Sequence, residues 1–135
     1  KYPMSLKLTR LLVCGGRNYH NRERFMRMMD ELCSKYGWIT EPSEDGNYLP
    51  LAHVISGKAK GADTLAIDWA VVNWLTWDEY PANWEKYGKS AGYIRNQQML
   101  DEGKPDYVIA FPGGAGTKNM KERAIAAGVP VIEID

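Results

Sequence analysis

Three apolar strand patterns in this chain each end in a glycine-containing loop that leads on into a helical pattern. The sharpest case is Tyr107-Val108-Ile109-Ala110-Phe111, followed by Pro112-Gly113-Gly114-Ala115-Gly116-Thr117 and then by a helical pattern from Lys118 to Ala127. Proline and three glycines between a strand and a helix let the backbone turn sharply and approach a ligand closely. The free N–H groups at the start of the following helix favour an anion, most often a phosphate. Thr117 is placed to cap that helix or to offer its hydroxyl to a phosphate oxygen.

The rest of the chain repeats this alternation. Strands are predicted over Leu8–Cys14, His53–Ser56, Trp74–Tyr80, Tyr107–Phe111 and Val129–Ile134. Helices are predicted over Asn21–Tyr36, Ala62–Asn73, Ala91–Glu102 and Thr117–Ala127, with Phe25, Met28, Met29, Leu32 and Tyr36 at helical spacing in the first of them. Residues 37–51 carry two prolines, Gly46 and several acids, and read as an inserted surface loop. Pro81–Ser90 reads as irregular. Strands alternating with helices of this length indicate an α/β fold, Rossmann-like, with three α/β/α layers and a mainly parallel five-stranded sheet. A chain of 135 residues with 44% hydrophobic content fits one domain, residues 1–135.

Charge and cysteine content narrow the function classes. Lys plus Arg equals Asp plus Glu at 17 each, so no global charge draws the chain to nucleic acid or a membrane surface. No apolar run reaches the roughly 20 residues of a membrane span, and the first residues lack the apolar core of a signal peptide. Cys14 and Cys33 show neither metal-ligand nor disulfide-framework spacing, which suits a reducing, cytoplasmic setting. His20 and His53 are far apart with no Glu or Cys at ligand spacing, so a zinc site is not expected. No G-x-S-x-G elbow surrounds Ser56 or Ser90.

The chemistry-bearing residues gather in the loops that follow strands. Seven of the 13 glycines lie in three such loops: Gly15 and Gly16; Gly57 and Gly61; Gly113, Gly114 and Gly116. In open parallel sheets the ligand crevice lies at the carboxyl ends of the strands, which is where these loops belong. Tight βα turns alone also use glycine, but three on one edge are what a phosphate cradle requires. Neither G-x-G-x-x-G nor G-x-x-x-x-G-K-[ST] is present. Arg17 has the planar fork that suits phosphate oxygens, against an ordinary exposed arginine as the plain alternative. Asp63 opens a helix, where the dipole stabilises a carboxylate; a ribose hydroxyl is its other natural partner. Lys58 and Lys60 flank the same loop and are equally well read as solvated. Trp84 and Tyr87 offer a stacking wall for a base, or else fill the core or an interface. Arg95 and Asn96 fall in the first two turns of a helix and face the crevice, or else form a salt-bridged surface. Tyr19 is placed to cover a ribose or base, and Cys14 reads as a small buried hydrophobe.

Five motifs occur in order: Gly-Gly-Arg-x-Tyr at 15–19, Gly-x-Ala-x-Gly-Ala-Asp at 57–63, Pro-Ala-Asn-Trp at 81–84, Ala-Gly-Tyr-Ile-Arg-Asn at 91–96 and Ala-Phe-Pro-Gly-Gly-x-Gly-Thr at 110–117. Together they resemble the YspA-like branch of the SLOG superfamily, Rossmann-like proteins related to DprA/Smf and to the LOG phosphoribohydrolases. The resemblance runs from about Leu8 to Asp135 and implies the strand order 3-2-1-4-5. It also implies a site for a nucleotide or nucleotide derivative, built on the glycines above with Pro112 and Thr117. A homodimer or higher homo-oligomer is implied as well; no cofactor and no metal are expected.

Three functions fit these residues. The first is a nucleotide-derivative sensor or sequestering domain. The second is a LOG-type hydrolase of a nucleotide N-glycosidic bond. The LOG pattern P-G-G-x-G-T-x-x-E would place its glutamate at residue 120, where this chain has Met120, a side chain that transfers no proton. Glu122 is rotated about 200° around the helix from that position and is no simple substitute. Asp63, Glu85 or Asp106 remain as possible carboxylates. The third is single-stranded DNA binding in the manner of DprA, which the balanced charge disfavours.

Overall fold

The computed structural model describes residues 7–39, 44–46 and 50–135. Five strands form one all-parallel sheet: β1 (Thr9–Cys14), β2 (Ala52–Ser56), β3 (Thr76–Glu79), β4 (Tyr107–Ala110) and β5 (Val131–Glu133), in the order β3-β2-β1-β4-β5. The helices are α1 (Arg22–Tyr36), α2 (Ala62–Val72), α3 (Trp84–Tyr87), α4 (Ala91–Gly103) and α5 (Ala115–Ala126). The expected Rossmann-like α/β architecture and strand order are therefore present.

The layering follows from side-chain alternation on the central strand. Leu11 and Val13 point to one face and join Phe25, Met29, Ala66, Trp69 and Phe111 from the α1/α2 side. Leu12 and Cys14 point to the other face and join Met99, Leu100, Met120 and Ala124 from α4 and α5. Both faces of β1 and β2 are covered, which is why these strands read as nearly continuous apolar runs. Stacked Phe25 and Phe111, with ring centres 4.3 Å apart, tie α1 to the end of β4. The chain moves outward from β1 through β2 to β3 and then returns to β4 on the other side of β1. The topological switch point thus lies between the carboxyl ends of β1 and β4.

Several local readings need correction. Trp74 is not in a strand: it takes a left-handed backbone angle (φ 59°) and is largely exposed, and β3 begins at Thr76. The 81–90 segment is not wholly irregular, since Asn83 caps the short helix α3 by accepting from the Lys86 N–H, and a 3₁₀ turn, Gly88–Ser90, follows. Helix α5 starts two residues earlier than expected, so Gly114 is its N-cap and Thr117 lies inside its first turn. Within the expected 37–51 surface loop, Trp38 is buried against Tyr36 and Tyr107. An Ile39–Pro50 bridge and the bond from the Leu51 N–H to the Trp38 carbonyl close the base of that loop. Its residues 40–43 and 47–49 lie outside the described residues.

Candidate functional site

A cavity of about 340 Å³ opens at the switch point, within the size range of small-ligand sites. Its walls come from the end of β1 and the loop after it, from the loop after β2 and the start of α2, from Trp84 of α3 and Lys89 of the 3₁₀ turn, and from α4 and α5.

The loops that frame it are packed onto one another, and this sorts the glycines. A side chain at Gly15 would meet Ala62 and Phe111, and one at Gly113 would collide with Thr117 Oγ1. Gly61, at φ 79°, leaves no room either, because a Cβ there would strike the Gly16 carbonyl. The Gly16 N–H donates to the Pro112 carbonyl at 2.9 Å, and the Ala62 N–H donates to the Gly16 carbonyl at 3.2 Å. Gly15, Gly16, Gly61 and Gly113 are thus required by the close packing of these loops on one another. Gly114 and Gly116 differ: nothing lies within 4 Å of a Cβ at either. They open α5 into the cavity, and no side chain caps that helix. Its first N–H groups are left for solvent or an anion.

The charged residues divide into one exposed cation, Arg17, and two groups held by hydrogen bonds, Arg95 and Asp63. Arg17 is exposed and stacks on Trp84, its guanidinium carbon 5.0 Å from the ring centre. Arg95 instead donates to the carbonyls of Gly57 at 2.5 Å and Tyr80 at 3.3 Å, and to Asn96 Oδ1 at 3.2 Å. Both the Arg95 guanidinium and Asp63 Oδ2 crowd the place where a Cβ at Gly57 would sit. Asp63 is buried and accepts from the Ala59 N–H at 3.2 Å. Burial pushes its carboxyl up to about 6, while Arg95, the Ala59 N–H and Arg17 pull it back. Burial likewise lowers the pKa of Arg95, with the Asp63 charge opposing the shift. Asn96 donates to the Gly116 carbonyl and to Asn119, each at 3.2 Å, and so locks α4 against the start of α5.

Ten of the fifteen residues expected from sequence line the cavity: Gly15, Gly16, Arg17, Asp63, Trp84, Arg95, Asn96, Gly114, Gly116 and Thr117. Gly57 lines a neighbouring cavity instead. Pro112, Gly113 and Gly61 act through loop packing, as described above. Tyr19 packs on Phe25 and Phe111 at the core edge, and its ring does not line the cavity. Of the three carboxylates weighed for catalysis, only Asp63 reaches the cavity; Glu85 is exposed on α3, and Asp106 accepts from the Arg10 N–H before β4, at the opposite sheet edge. Cys14, Met99 and Met120 contribute apolar lining that the motif reading missed as a feature of the site. Burial raises the Cys14 thiol pKa and keeps it a thiol, unsuited to nucleophilic attack. Lys89 and Tyr93 were also missed, although Tyr93 lies inside the 91–96 motif.

Among the described residues, no helix is long and apolar enough to cross a membrane. Residues 9–87 match the model of the YspA, cpYpsA-related SLOG family, a stretch that runs from β1 through α3. The chain is also similar to the "Gene 61 protein" of Mycobacterium phage D29, at 34% identity over 137 residues, covering 93% of this chain and 95% of that protein. The match contains Arg17, Asp63 and Trp84 in their places around the cavity, and the chain belongs to the YspA, cpYpsA-related SLOG family.

Proposed function

We propose that this protein binds a nucleotide or nucleotide derivative in the switch-point cavity, acting as a sensor or sequestering domain. The observation that carries the reading is the start of α5. It has no side-chain cap, it opens on two unobstructed glycines, and it faces the same cavity as Arg17 and Asp63. An anionic phosphate fits against free helix N–H groups, with Arg17 able to leave Trp84 and clamp it. Asp63 then faces the ligand's neutral part, where a sugar hydroxyl is a suitable partner. Trp84, half-exposed and lining the cavity, offers a ring face for a base.

A second reading, hydrolysis of a nucleotide N-glycosidic bond, is favoured by one observation. Asp63 is a buried carboxyl titrating near 6 in the cavity wall, a suitable range for general acid–base work near neutrality. It ranks below binding because the position of the LOG glutamate holds Met120, which is buried among apolar neighbours.

The test is a thermal-shift screen of nucleoside phosphates, nucleotide-derived signals and inorganic phosphate. A ligand at a hundredfold excess over its Kd stabilises the folded state by about 2.7 kcal/mol, a shift of several degrees for a domain of this size. At least one nucleotide should give that shift. A flat response across the whole panel would overturn the reading.

A further inference from the structure

Beyond the Arg17–Trp84 stack lies a second cavity, of about 570 Å³, into which the loop after β2 projects. We propose that it is a second anion subsite, so that the ligand is a nucleotide carrying a phosphate on either side of its sugar. This deepens the nucleotide reading above and rests on it.

The first support is charge. The second cavity is lined by Arg17, Lys58, Lys60 and Arg95, and no carboxylate lines it. In a chain with 17 basic and 17 acidic residues, that is a marked local excess. The groove between α5 and β5 shows the contrast, with Lys118 and Lys121 set against Glu122 and Glu133. The second support is continuity. Arg17, Ala59, Trp84 and Arg95 line both cavities, so the two are halves of one cleft narrowed by the Arg17–Trp84 stack. A ligand seated in both halves passes its sugar across that waist, beside a ring and a planar cation.

The third support is backbone conformation. Lys58 holds a left-handed backbone angle, φ 55°, which is uncommon for a residue with a side chain. Residues kept in such conformations cluster at ligand clamps. Here the turn is fixed by the Lys58 N–H donating to Ser56 Oγ at 3.1 Å. The Lys58 ammonium meets Glu79 at 2.7 Å, and Glu79 is held in turn by Trp77 Nε1 at 2.9 Å. Lys60 makes no ion pair among the described residues. The main cavity holds the start of α5 and the buried acid Asp63; this one has neither, and adds Lys58 and Lys60 to the Arg17 and Arg95 that the two share.

The experiment is calorimetric titration with the four nucleoside 5′-monophosphates and the four nucleoside 3′,5′-bisphosphates, on the unmodified protein and on a Lys58→Gln/Lys60→Gln variant. At least one bisphosphate should bind about tenfold or more tightly than its monophosphate, as expected for added charge-assisted hydrogen bonds. The double variant should lose that gain while its monophosphate affinity stays within about twofold, since the two lysines do not line the first cavity. Monophosphate binding with no bisphosphate gain, or a gain that survives in the variant, overturns the second subsite and leaves the nucleotide reading standing. No binding of either class overturns both. A twelve-residue oligothymidylate that binds more tightly than any bisphosphate, in a lysine-dependent way, reassigns the cleft to a single strand and also overturns the proposal.

Discussion

Asp63→Asn should make the protein more stable at neutral pH while changing little in acid. In the folded chain the Asp63 carboxyl is driven up to about 6 by burial, against an ordinary value of 3.8. The folded state therefore binds this proton more tightly than the unfolded state. The stabilisation is fully present below pH 3.8 and is lost as pH rises through about 6. At 1.36 kcal/mol per pH unit, the charged form weakens the fold by about 3 kcal/mol at pH 7 relative to the protonated one. Asparagine stands in for the protonated carboxyl, keeps an oxygen for the Ala59 N–H and cannot titrate. Urea unfolding at half-unit steps from pH 4 to 8 should give two nearly coincident stabilities near pH 4 that diverge toward pH 7. With a urea dependence of about 1–3 kcal/mol per molar, the midpoint gap at pH 7 should be about 1–3 M. Other titrating groups move both proteins alike, so the difference isolates Asp63. Parallel curves from pH 4 to 8 would refute the claim that this carboxyl is buried at an energetic cost.

Gly114→Asp should abolish nucleotide binding and leave the fold intact, because φ is −103° there and no atom lies within 4 Å of the new Cβ; calorimetry and circular dichroism check the two halves. Gly61→Ala should do the reverse, costing about 3 kcal/mol or more of stability, since both a left-handed φ of 79° and the Gly16 carbonyl oppose a side chain; denaturant unfolding reads it. The unmodified protein should release no measurable free base from nucleoside monophosphates, because general acid–base help of about 10²–10⁴-fold is not available from Met120. Chromatography of long incubations checks this, and sustained turnover would move the chemistry to Asp63.

Much of the fold was legible because its signals are local. Apolar runs broken by glycine and followed by a 3.6-residue period separate strand from helix, and parallel strands buried on both faces lose any alternation that would blur them. Boundaries failed where competing signals overlap. Ala115 and Gly116 read as a continuation of the glycine turn, yet the helix begins at Gly114 as its cap. Trp38 sits among loop-forming residues, yet it joins the core, stacked on Tyr36 and packed against the tilted ring of Tyr107. In the candidate site, Arg17, Asp63, Trp84, Arg95 and Asn96 were findable from their motifs. What the sequence could not supply was the partner of each group. Arg95 looks like a phosphate clamp in one dimension, yet two backbone carbonyls from distant segments hold it in place. Gly15, Gly61 and Gly113 look like cradle residues, yet loop-on-loop packing demands them. Lys58 and Lys60 read as solvated until the cavity beside them is seen to contain no acid.

In the proposed complex a nucleotide phosphate sits on the first turn of α5. Amide chemical-shift mapping of ¹⁵N-labelled protein, titrated with the nucleoside 5′-monophosphates, checks that placement residue by residue. Saturable shifts should centre on Gly114, Gly116 and Thr117, with the Trp84 indole and the Arg17 amide moving on the same binding curve. Saturable shifts centred on the groove between α5 and β5, or shifts that never saturate, would contradict it.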